Sequence, residues 1–454
     1  MITKPEGTQD LFDDEAEEWD SFEYAAKMVL EHNGFKRCEP PTFEKEELFV
    51  RGLGDSTDVV NKEMFSVFSG GNLAKMKAGE ALPSKSKFAL RPEGTAGVVR
   101  AAIENGFLDD PEQQPLRVWY SGPMFRAERP QKGRLREFRQ IGLECLGSAD
   151  AFLDAKAIVL MSDIFMMYGI DNAKVDIHLN TMGCEECRPA WRNAVKEYID
   201  AHAGDMCETC MERAQKNPLR AFDCKNESCQ RVMADAPKIT DYSCLDCRTH
   251  FEKVKRLLNV ADVDYVLDPT LVRGLDYYTR TVFEAQFTEG MGSQNAIGGG
   301  GRYDALVEEL GGKSTPALGF AIGFERCLLA KMACGFEREQ FPGPDFFFIV
   351  TSDDSRKFAE EFALNPSNSS DSFDFDFRTP KKGEPAYRSI KSQLRLANKV
   401  NASYAVILGE EEMHTEIATV KNLRSHEEKK VPFADFKSSE IRGMMTMEAW
   451  EYGL

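Results

Sequence analysis

The chain has 454 residues, 42% of them hydrophobic, and a formal net charge of −18 at pH 7. This length exceeds one ordinary domain, so two or three domains are expected, and no long apolar run predicts a membrane span. The strong negative charge argues against nonspecific nucleic-acid binding, so a nucleic-acid partner would need local basic patches. The acidic N-terminus has no apolar signal region, and we therefore expect a cytoplasmic location rather than export.

The first half of the chain predicts helices and strands around two loops. An amphipathic helix is predicted over residues 14–33, and the Pro40-Pro41 pair then starts an extended segment. Residues 70–86 are rich in Gly, Ser and Lys and predict a surface loop. Residues 87–100 predict a strand followed by a helix, and residues 115–147 predict two strands joined by a charged loop.

The second half predicts a cysteine-rich segment and then a return to regular structure. Its predicted elements are the Cys-rich segment at about 180–250, strands within 262–300, a strand running into a helix over 316–334, and a linker at 341–344. Beyond the linker, DFFFIV, a helix near 355–364 and SYAVILGEEE indicate strands that alternate with helices, as in a separate α/β domain. The polar stretch 366–377 fits a strand poorly, which leaves its structure open.

Alternation in residues 137–147, EFRQIGLECLG, predicts a strand that presents a polar shelf. A period of two places Gln140, Gly142 and Glu144 on one face and Ile141 and Leu143 on the other. An amide and a carboxylate that flank a glycine leave room above them for a small polar ligand. On the residues alone, a solvated hairpin with salt bridges explains the same pattern.

Residues 273–284, RGLDYYTRTVFE, precede a glycine run at 298–301 in GGGGRYDAL. Arg273 offers a guanidinium, Tyr277 and Tyr278 offer phenols, and glycines let the backbone approach a ligand closely. These groups suit a pocket for a small zwitterion with an aromatic polar side chain. Ordinary strand packing is the alternative explanation for the tandem tyrosines.

Several common types of active site are unsupported. The sequence has no GxxxxGK[ST] and no strand-GxGxxG-helix unit, so neither a P-loop nor a Rossmann nucleotide site is expected. None of the six histidines lies in the segments that carry chemical groups, which argues against a histidine general base. Positive charge instead concentrates in two patches, at 126–139 and 381–399.

Three segments together carry a resemblance to a known family. FRAERPQKGRLREF, at 125–138, resembles the second signature motif of class II aminoacyl-tRNA synthetases, and GFERCLLAKM, at 323–332, resembles their last motif. With RGLDYYTRTVFE, the chain resembles the histidyl-tRNA synthetases over nearly its whole length. The predicted helix at 14–33 and the Pro-Pro segment after it match the first motif, which forms the dimer interface in the family.

The resemblance implies an α+β catalytic core with an antiparallel sheet flanked by helices, a small Cys-rich insertion and an α/β C-terminal domain. The implied domains are a first part of the core at 1–180, the insertion at 181–255, a second part of the core at 256–337, and an anticodon-binding domain at 345–454.

The implied function is that of a histidine–tRNA ligase. Such an enzyme joins L-histidine to ATP as histidyl-adenylate with release of pyrophosphate, and then transfers histidine to the 3′ end of tRNA(His). Mg²⁺ accompanies ATP, and the enzyme is a homodimer. Because both reactants of the first step are anionic, the site must supply positive charge, for which the planar guanidinium suits phosphate better than an ammonium does.

The resemblance also assigns roles to individual residues. Arg126 and Arg273 are the candidate catalytic residues at the α-phosphate and the substrate carboxylate, and Arg326 would hold the γ-phosphate end. The candidate histidine-binding residues are Glu93, Gly94, Thr95, Arg126, Gln140, Glu144, Arg273, Tyr277 and Tyr278. The candidate ATP-binding residues are Arg126, Glu128, Arg134 and Arg326. Capping of the following helix is an alternative or additional role for Glu93 and Thr95.

Eight cysteines within residues 184–247 predict a structural metal site. They form four close pairs, Cys184 and Cys187, Cys207 and Cys210, Cys224 and Cys229, Cys244 and Cys247, and paired CxxC spacing is a strong zinc signal. The spacing allows two four-cysteine zinc sites, or one site with spare thiols. A small helical subdomain with reduced thiols and no metal is the alternative.

Residues 386–399 predict a helix with a basic stripe, which an ordinary solvated face also explains. In the family this domain binds the tRNA anticodon stem-loop, so the candidate tRNA-binding residues are Lys132, Arg134, Arg388, Lys391 and Arg395. Two other functions stay open at this point. One is a noncatalytic, synthetase-like regulatory subunit of ATP phosphoribosyltransferase in histidine biosynthesis, and the other is an RNA-binding scaffold without catalysis.

Overall fold

A computed structural model describes residues 2–12, 14–54, 57, 59–110, 112, 114–272, 277–336, 343–365 and 371–435. The chain divides into two compact units, Met1–Glu337 and Arg338–Leu454. No helix in these described ranges is long and apolar enough to cross a membrane.

The strands, in chain order, are β1 Lys36–Arg37, β2 Phe43–Lys45, β3 Ser66–Val67, β4 Phe88–Leu90, β5 Leu116–Phe125, β6 Glu137–Leu146, β7 Val175–Thr181, β8 Val266–Leu267, β9 Thr279–Phe287, β10 Ala296–Arg302, β11 Ala317–Gly323, β12 Phe346–Val350, β13 Phe373–Phe375, β14 Tyr404–Leu408, β15 Ile417–Asn422 and β16 Glu428–Pro432. The α-helices are α1 Asp14–His32, α2 Glu46–Leu53, α3 Gly70–Lys77, α4 Thr95–Glu104, α5 Ala151–Tyr168, α6 Arg188–Ala201, α7 Glu208–Lys216, α8 Glu227–Ala234, α9 Leu245–Val260, α10 Leu306–Glu309, α11 Phe324–Ala333, α12 Asp353–Ala363, α13 Ile390–Lys399 and α14 Glu410–Thr415.

The first unit is built on one large sheet. Within the described residues its order is β1-β5-β6-β11-β10-β9-β7-β8. The strands from β5 to β7 in this order pair antiparallel, and the short edge strands β1 and β8 pair parallel with β5 and β7. A small separate sheet, in the order β2-β4-β3, leads into α4. The predicted antiparallel core flanked by helices is thus confirmed, with parallel pairing only at its two edges.

Helices α1, α5 and α11 cover one face of this sheet. The apolar side chains of α1 that meet it, Phe22, Ala26 and Leu30, are four residues apart and buried, as an amphipathic helix requires. From β6, Ile141 and Leu143 point into the same core. The alternation predicted for 137–147 is therefore confirmed, and the opposite face of β6 is left for the site described below.

The cysteine-rich segment folds into helices. It contains α6, α7, α8 and the start of α9, joined by short 3₁₀ turns. Its buried apolar residues, such as Trp191 and Ile239, belong to the same core cluster as Tyr277 and Tyr303 in the catalytic part of the unit.

The second unit is an α/β domain, in agreement with the predicted alternation of strands and helices. Its sheet has the order β13-β12-β14-β15-β16, in which the first three strands are parallel and the last two are antiparallel to their neighbours. All five residues of β12 are buried, because helices such as α12 and α13 contact this strand.

Two local predictions need correction or completion. The surface loop predicted at 70–86 is wrong for its first half, because Gly70–Lys77 form α3, whose N-terminus is capped by the Ser69 hydroxyl accepting from the Asn72 amide. This helix buries no side chain, so hydrophobic periodicity could not reveal it. In the stretch 366–377, residues 373–375 form β13 beside β12, whereas 366–370 lie outside the described residues.

Candidate active site

A pocket of about 230 Å³ lies on the face of the large sheet away from α1 and α5. Side chains reach it from the start of α4, from the β5–β6 hairpin, from β9, β10 and β11, and from the start of α11. These segments are far apart in sequence, and the antiparallel pairing of the central strands brings them together.

One end of the pocket is positively charged. Arg126 follows β5, Arg134 lies in the β5–β6 loop, and Arg326 lies in the first turn of α11, and all three line the pocket. Burial lowers the pKa of Arg326, and the nearby charges of Arg134 and Arg126 lower it further. Guanidinium groups this close repel one another, so this end of the pocket suits a polyanion.

Hydrogen bonds hold Arg326 in place from three directions. Its guanidinium donates to the Gly133 carbonyl at 3.1 Å, the Ala296 carbonyl at 2.8 Å and the Gln294 side-chain oxygen at 2.9 Å. Arg126 donates to the Pro92 carbonyl at 3.0 Å and lies over the Phe138 ring. Both guanidiniums are therefore fixed before any ligand arrives.

Arg134 forms an ion pair with Glu128, the other charged residue of the loop that faces the pocket. A second carboxylate, that of Glu325, accepts from the Arg139 backbone amide at 2.9 Å, and burial raises its pKa to about 7. These two carboxylates place oxygen atoms beside the arginine cluster.

Glu93, Thr95 and Gln140 form a second polar group in the pocket lining. The Glu93 carboxylate accepts from the backbone amides of Thr95 at 2.7 Å and Ala96 at 2.9 Å, so it caps α4 while it lines the pocket. Both of the roles that the sequence left open for Glu93 are compatible with this geometry. Burial raises the pKa of Glu93.

Glu144 lies beneath the pocket and not in its lining. Its side chain is fully buried, and its oxygens accept from the Thr95 hydroxyl at 2.7 Å and from the Tyr303 hydroxyl. A Cβ added at Gly319 would lie 1.9 Å from the Glu144 carboxylate, so only glycine fits over it. Burial raises the pKa of Glu144 to about 8.

Three tyrosine rings form the aromatic wall. The ring centroids of Tyr277 and Tyr278 are 4.7 Å apart, and those of Tyr277 and Tyr303 are 5.5 Å apart. Tyr120 covers Gly94 and Gly142, where an added Cβ would lie 2.2 Å and 2.1 Å from its ring. The room expected above Gly142 is therefore occupied by this ring.

Most of the candidate pocket residues come together in this one place. Those that line it are Glu93, Thr95, Arg126, Glu128, Arg134, Gln140, Tyr277, Tyr278 and Arg326. Gly94 and Glu144 lie beneath the lining, and Arg273 lies outside the described residues.

Sequence reasoning missed four pocket residues with polar side chains, Tyr120, Glu284, Tyr303 and Glu325. Tyr303 and Glu325 lie inside motifs that the sequence singled out, next to Arg302 and Arg326, and strand alternation along GGGGRYDAL would have indicated the first. No local signal marks Tyr120, since a tyrosine in a buried strand is ordinary.

The eight cysteines form two separate clusters. We call Cys184, Cys187, Cys244 and Cys247 the outer site, and Cys207, Cys210, Cys224 and Cys229 the inner site. Within each site all four sulfurs lie within 4.8 Å of one another. The pairing is nested in the sequence. The first and last cysteine pairs of the segment form the outer site, and the two pairs between them form the inner site.

The sulfur spacing fits tetrahedral zinc. The Sγ–Sγ distances are 3.5 Å for Cys184–Cys187, 4.0 Å for Cys184–Cys244 and 3.9 Å for Cys187–Cys247 in the outer site, and 3.9 Å for Cys207–Cys224 in the inner site. A Zn–S bond of about 2.3 Å gives a tetrahedral edge of about 3.8 Å. None of the cysteines is disulfide-bonded.

The candidate tRNA-binding residues belong to both units. Lys132 is exposed in the β5–β6 loop, and Lys391 and Arg395 are exposed on α13 with Lys399 one further turn along. Arg388 precedes this helix and pairs with Asp376 at 3.2 Å. The basic stripe is therefore on the solvent-facing side of α13, away from buried Gln393 and Ala397.

Comparison with known proteins agrees with this arrangement. The family model described as histidyl-tRNA synthetase matches residues 7–327, which contain the whole pocket, and the model described as anticodon binding domain matches 384–439. The chain belongs to the histidyl-tRNA synthetase family. The family uses ATP with Mg²⁺, and the matched C-terminal domain is its anticodon-binding α/β domain.

Curated relatives match over nearly their full length. The histidine–tRNA ligase of Halothermothrix orenii is 40% identical over 434 residues, covering 96% of this chain and 97% of that protein. The histidine–tRNA ligase of Desulfitobacterium hafniense is also 40% identical, over 441 residues, with 96% and 97% coverage. The chain is therefore similar to ligases of this family in both units.

Solved structures agree on the fold. The apo histidyl-tRNA synthetase of S. aureus has a TM-score of 0.75 and 28% identity, with 96% of this chain and 98% of that chain covered. A Bacillus halodurans protein, described as an ATP phosphoribosyltransferase regulatory subunit/histidyl-tRNA synthetase, has a TM-score of 0.59 and 18% identity, with 90% and 99% covered. The latter similarity supports the fold alone.

Proposed function

We propose that this chain, as a histidine–tRNA ligase, carries out both steps of aminoacylation with the pocket described above. The carboxylate of histidine attacks the α-phosphorus of ATP, the bond between the α-phosphorus and the bridging oxygen breaks, and magnesium pyrophosphate leaves. The terminal ribose hydroxyl of tRNA(His) then attacks the adenylate carbonyl, and AMP leaves.

One observation carries this proposal. Three arginines converge in a pocket whose lining also offers a carboxylate, an amide and phenols. The arginines suit the triphosphate, and the other groups suit an ammonium and an imidazole. An enzyme that joins two anions needs positive charge and positioning groups in one site.

We assign the roles as follows. Arg126 contacts the α-phosphate and the histidine carboxylate, Arg326 holds the γ-phosphate, and Glu128 contacts the adenine. The ion pair between Arg134 and Glu128 places Arg134 for the phosphates once ATP is bound. Arg273 keeps its proposed role at the α-phosphate on the strength of the family motif.

For the amino acid, we assign Glu93, Thr95 and Gln140 to the ammonium and the tyrosines to the imidazole. Glu144 acts indirectly in this proposal, because it lies under Gly319 and accepts from Thr95 and Tyr303. An apolar side chain in the pocket would leave these buried polar groups unpaired, which disfavours isosteric competitors.

We also propose that the outer and inner sites each bind one structural zinc ion. Four thiolates at tetrahedral spacing match the ligand set of structural zinc sites, which contribute directly to folding. Metal analysis of the purified protein would give about two zinc ions per chain under this proposal. Purified protein without zinc, with all eight thiols titratable, would contradict it.

The remaining partners are proposals of the same kind. We propose a homodimer joined through the first motif, where Tyr24 and Met28 of α1 are 62% and 43% exposed, and light scattering of the purified protein would measure its mass. We assign tRNA contacts to Lys132, Arg134, Arg388, Lys391 and Arg395. We propose the domain bounds that the sequence predicts. We also propose that aminoacylation takes place in the cytoplasm, where the tRNA is used.

The test is ATP–pyrophosphate exchange with each amino acid supplied separately. Exchange with histidine alone would support adenylation and its specificity together. Folded protein that binds histidine without exchange would favour the noncatalytic regulatory subunit, and tRNA binding without exchange would favour the RNA-binding scaffold. Arg126 and Arg326, both in the pocket, weigh against these alternatives, since neither needs phosphate-holding arginines.

A further inference from the structure

We propose that the outer cysteine site positions the histidine pocket, whereas the inner site organises only the distal part of the insertion. This inference rests on the proposed zinc binding and assigns different consequences to the two ions. Three structural connections between the outer site and the aromatic wall of the pocket carry it.

The first connection is made by α6. Cys187 of the outer site is the N-cap of this helix, and Arg188, the next residue, donates from its guanidinium to the backbone carbonyl of Tyr278. Tyr278 lines the pocket beside Tyr277. The orientation of α6 at the outer site therefore fixes the strand end that carries the tyrosines.

The second connection is the backbone just before Cys184. The Arg280 amide donates to the Gly183 carbonyl at 2.8 Å, and the Met182 amide donates to the Arg280 carbonyl at 2.6 Å. Arg280 has a φ of +47°, a left-handed conformation that costs a non-glycine residue free energy and needs support from its surroundings. Arg280 lies two residues after Tyr278. Its support comes from Met182 and Gly183, which lead directly into Cys184 of the outer site.

The third connection is made by α9. Cys244 of the outer site is the N-cap of this helix, and six residues later His250 contacts the Asp154 carboxylate at 3.1 Å. Asp154 in turn accepts from Arg302 at 3.2 Å, and all three side chains are buried. Arg302 is the residue before Tyr303, so this path also ends at the aromatic wall.

The inner site has different neighbours. The Cys207 amide donates to the Cys229 sulfur at 3.1 Å, and Cys207 is the N-cap of α7. Helix α7 packs on α6 and on the 3₁₀ segment Pro218–Asp223, and α8 packs on that segment and on the 3₁₀ turn Ala203–Asp205, all within the insertion. The loss of its metal should therefore loosen α7 and α8 and leave the pocket tyrosines in place.

The test compares Cys184→Ser with Cys224→Ser in the full chain, because each removes one half-buried thiol from one site. Zinc is counted by mass spectrometry, and the KM values for histidine and ATP are measured by pyrophosphate exchange without tRNA. We expect each variant to lose one zinc ion. Cys184→Ser should raise the KM for histidine about tenfold with little change for ATP, whereas Cys224→Ser should change neither.

Hydrogen exchange gives a readout that is independent of activity. Amides within 277–282 should exchange faster in Cys184→Ser and at the wild-type rate in Cys224→Ser. If both variants lose zinc and behave alike in exchange and in KM, this inference is overturned while zinc binding stands. If the wild-type protein contains no zinc, zinc binding and the inference fail together.

Arg188→Gln tests the positioning path without disturbing a ligand. The variant should keep both zinc ions, and this zinc content also shows that the insertion is folded. It should raise the KM for histidine about tenfold, because the Tyr278 backbone is less firmly held. Arg192→Gln, on the exposed side of the same helix, is the matched control and should behave as wild type. An unchanged KM in Arg188→Gln would overturn the α6 path.

Discussion

Arg326 illustrates how single residues make this pocket. Its burial and the adjacent Arg134 and Arg126 disfavour its charge, yet three hydrogen bonds hold the guanidinium in position. Under the proposed role of Arg326 at the γ-phosphate, this arrangement is unfavourable in the empty protein and becomes favourable when phosphates bind. The free energy that fixes the charges is supplied by folding, so little reorganisation remains for the reaction.

We predict that Arg326→Ala raises the KM for ATP in pyrophosphate exchange about a hundredfold, because one preorganised phosphate contact is lost. Arg326→Lys should recover only part of the loss, since an ammonium cannot reproduce the planar fork. Arg256→Ala, at an exposed position of α9, is the control. An unchanged KM in Arg326→Ala would remove Arg326 from the ATP site.

Glu144 gives a prediction about pH. Burial raises its pKa to about 8 in the folded protein, above the ordinary value of 4.5. As pH rises from 5 to 7.5, the unfolded chain releases this proton and the folded chain keeps it, so the free energy of unfolding falls by about 1.4 kcal/mol per pH unit from this group. The stabilising effect is complete below the unfolded pKa and is lost as pH rises through the folded pKa.

Glu144→Gln should therefore reduce the decrease in stability with pH by about 1.4 kcal/mol per unit over this range. Denaturant unfolding at several pH values would measure it through tryptophan fluorescence, which reports mainly on the first unit because Trp19, Trp119 and Trp191 lie there. Glu252→Gln, at an exposed position on α9, serves as the control. Parallel curves for wild type and Glu144→Gln would show that Glu144 is ionised when folded.

At the scale of elements, the close approach of β10 and β11 shapes the pocket floor. An ideal Cβ at Gly300 would lie 2.1 Å from the Gly319 carbonyl oxygen and 2.6 Å from the Phe320 Cα, both backbone atoms of the neighbouring strand. A backbone cannot move aside as a flexible side chain can. The glycine run thus permits the strand pairing that holds the pocket together.

We predict that Gly300→Ala lowers the free energy of unfolding of the first unit by about 3 kcal/mol, because the two strands must separate. Gly71→Ala is the matched control, since it lies in exposed α3 with no atom within 4 Å of the added Cβ. Chemical denaturation of both variants gives the comparison. Equal stability of the two would mean that β10 and β11 accommodate the methyl group.

At the scale of the whole molecule, an acidic protein must bind an RNA. The net charge of −18 opposes this encounter, so local positive surfaces must provide the contacts. Lys391, Arg395 and Lys399 are exposed and four residues apart on α13, which gives the second unit one continuous basic stripe. Under the proposed function, activation of histidine takes place in the pocket of the first unit and does not need this stripe.

We predict that the double variant Lys391→Glu, Arg395→Glu raises the KM for tRNA in aminoacylation at least about tenfold and weakens its salt dependence. Pyrophosphate exchange without tRNA should stay unchanged, which separates tRNA binding from catalysis. Lys357→Glu, on α12 of the same unit with its side chain 75% exposed, is the control. Equal effects of the two variants would indicate a general charge effect instead of a binding face.

The sequence by itself determined the family, the antiparallel core and most of the polar residues that line the pocket. It did so because the motifs are local: alternation in 137–147 places Gln140 towards the site, and Arg126 and Arg326 lie in short segments with recognisable neighbours. It failed for α3, since a helix that buries nothing has no apolar period.

Only the tertiary structure decided which groups meet. The position of Glu144 beneath Gly319, with Tyr303 donating to it, depends on the register of β6 against β11 and on contacts 159 residues apart in the chain. The nested pairing of the cysteines was likewise undetermined, because four equivalent pairs can combine in several ways, and the fold selects one by bringing the starts of α6 and α9 together. Local sequence specifies residue types and periods, whereas long-range contacts specify partners.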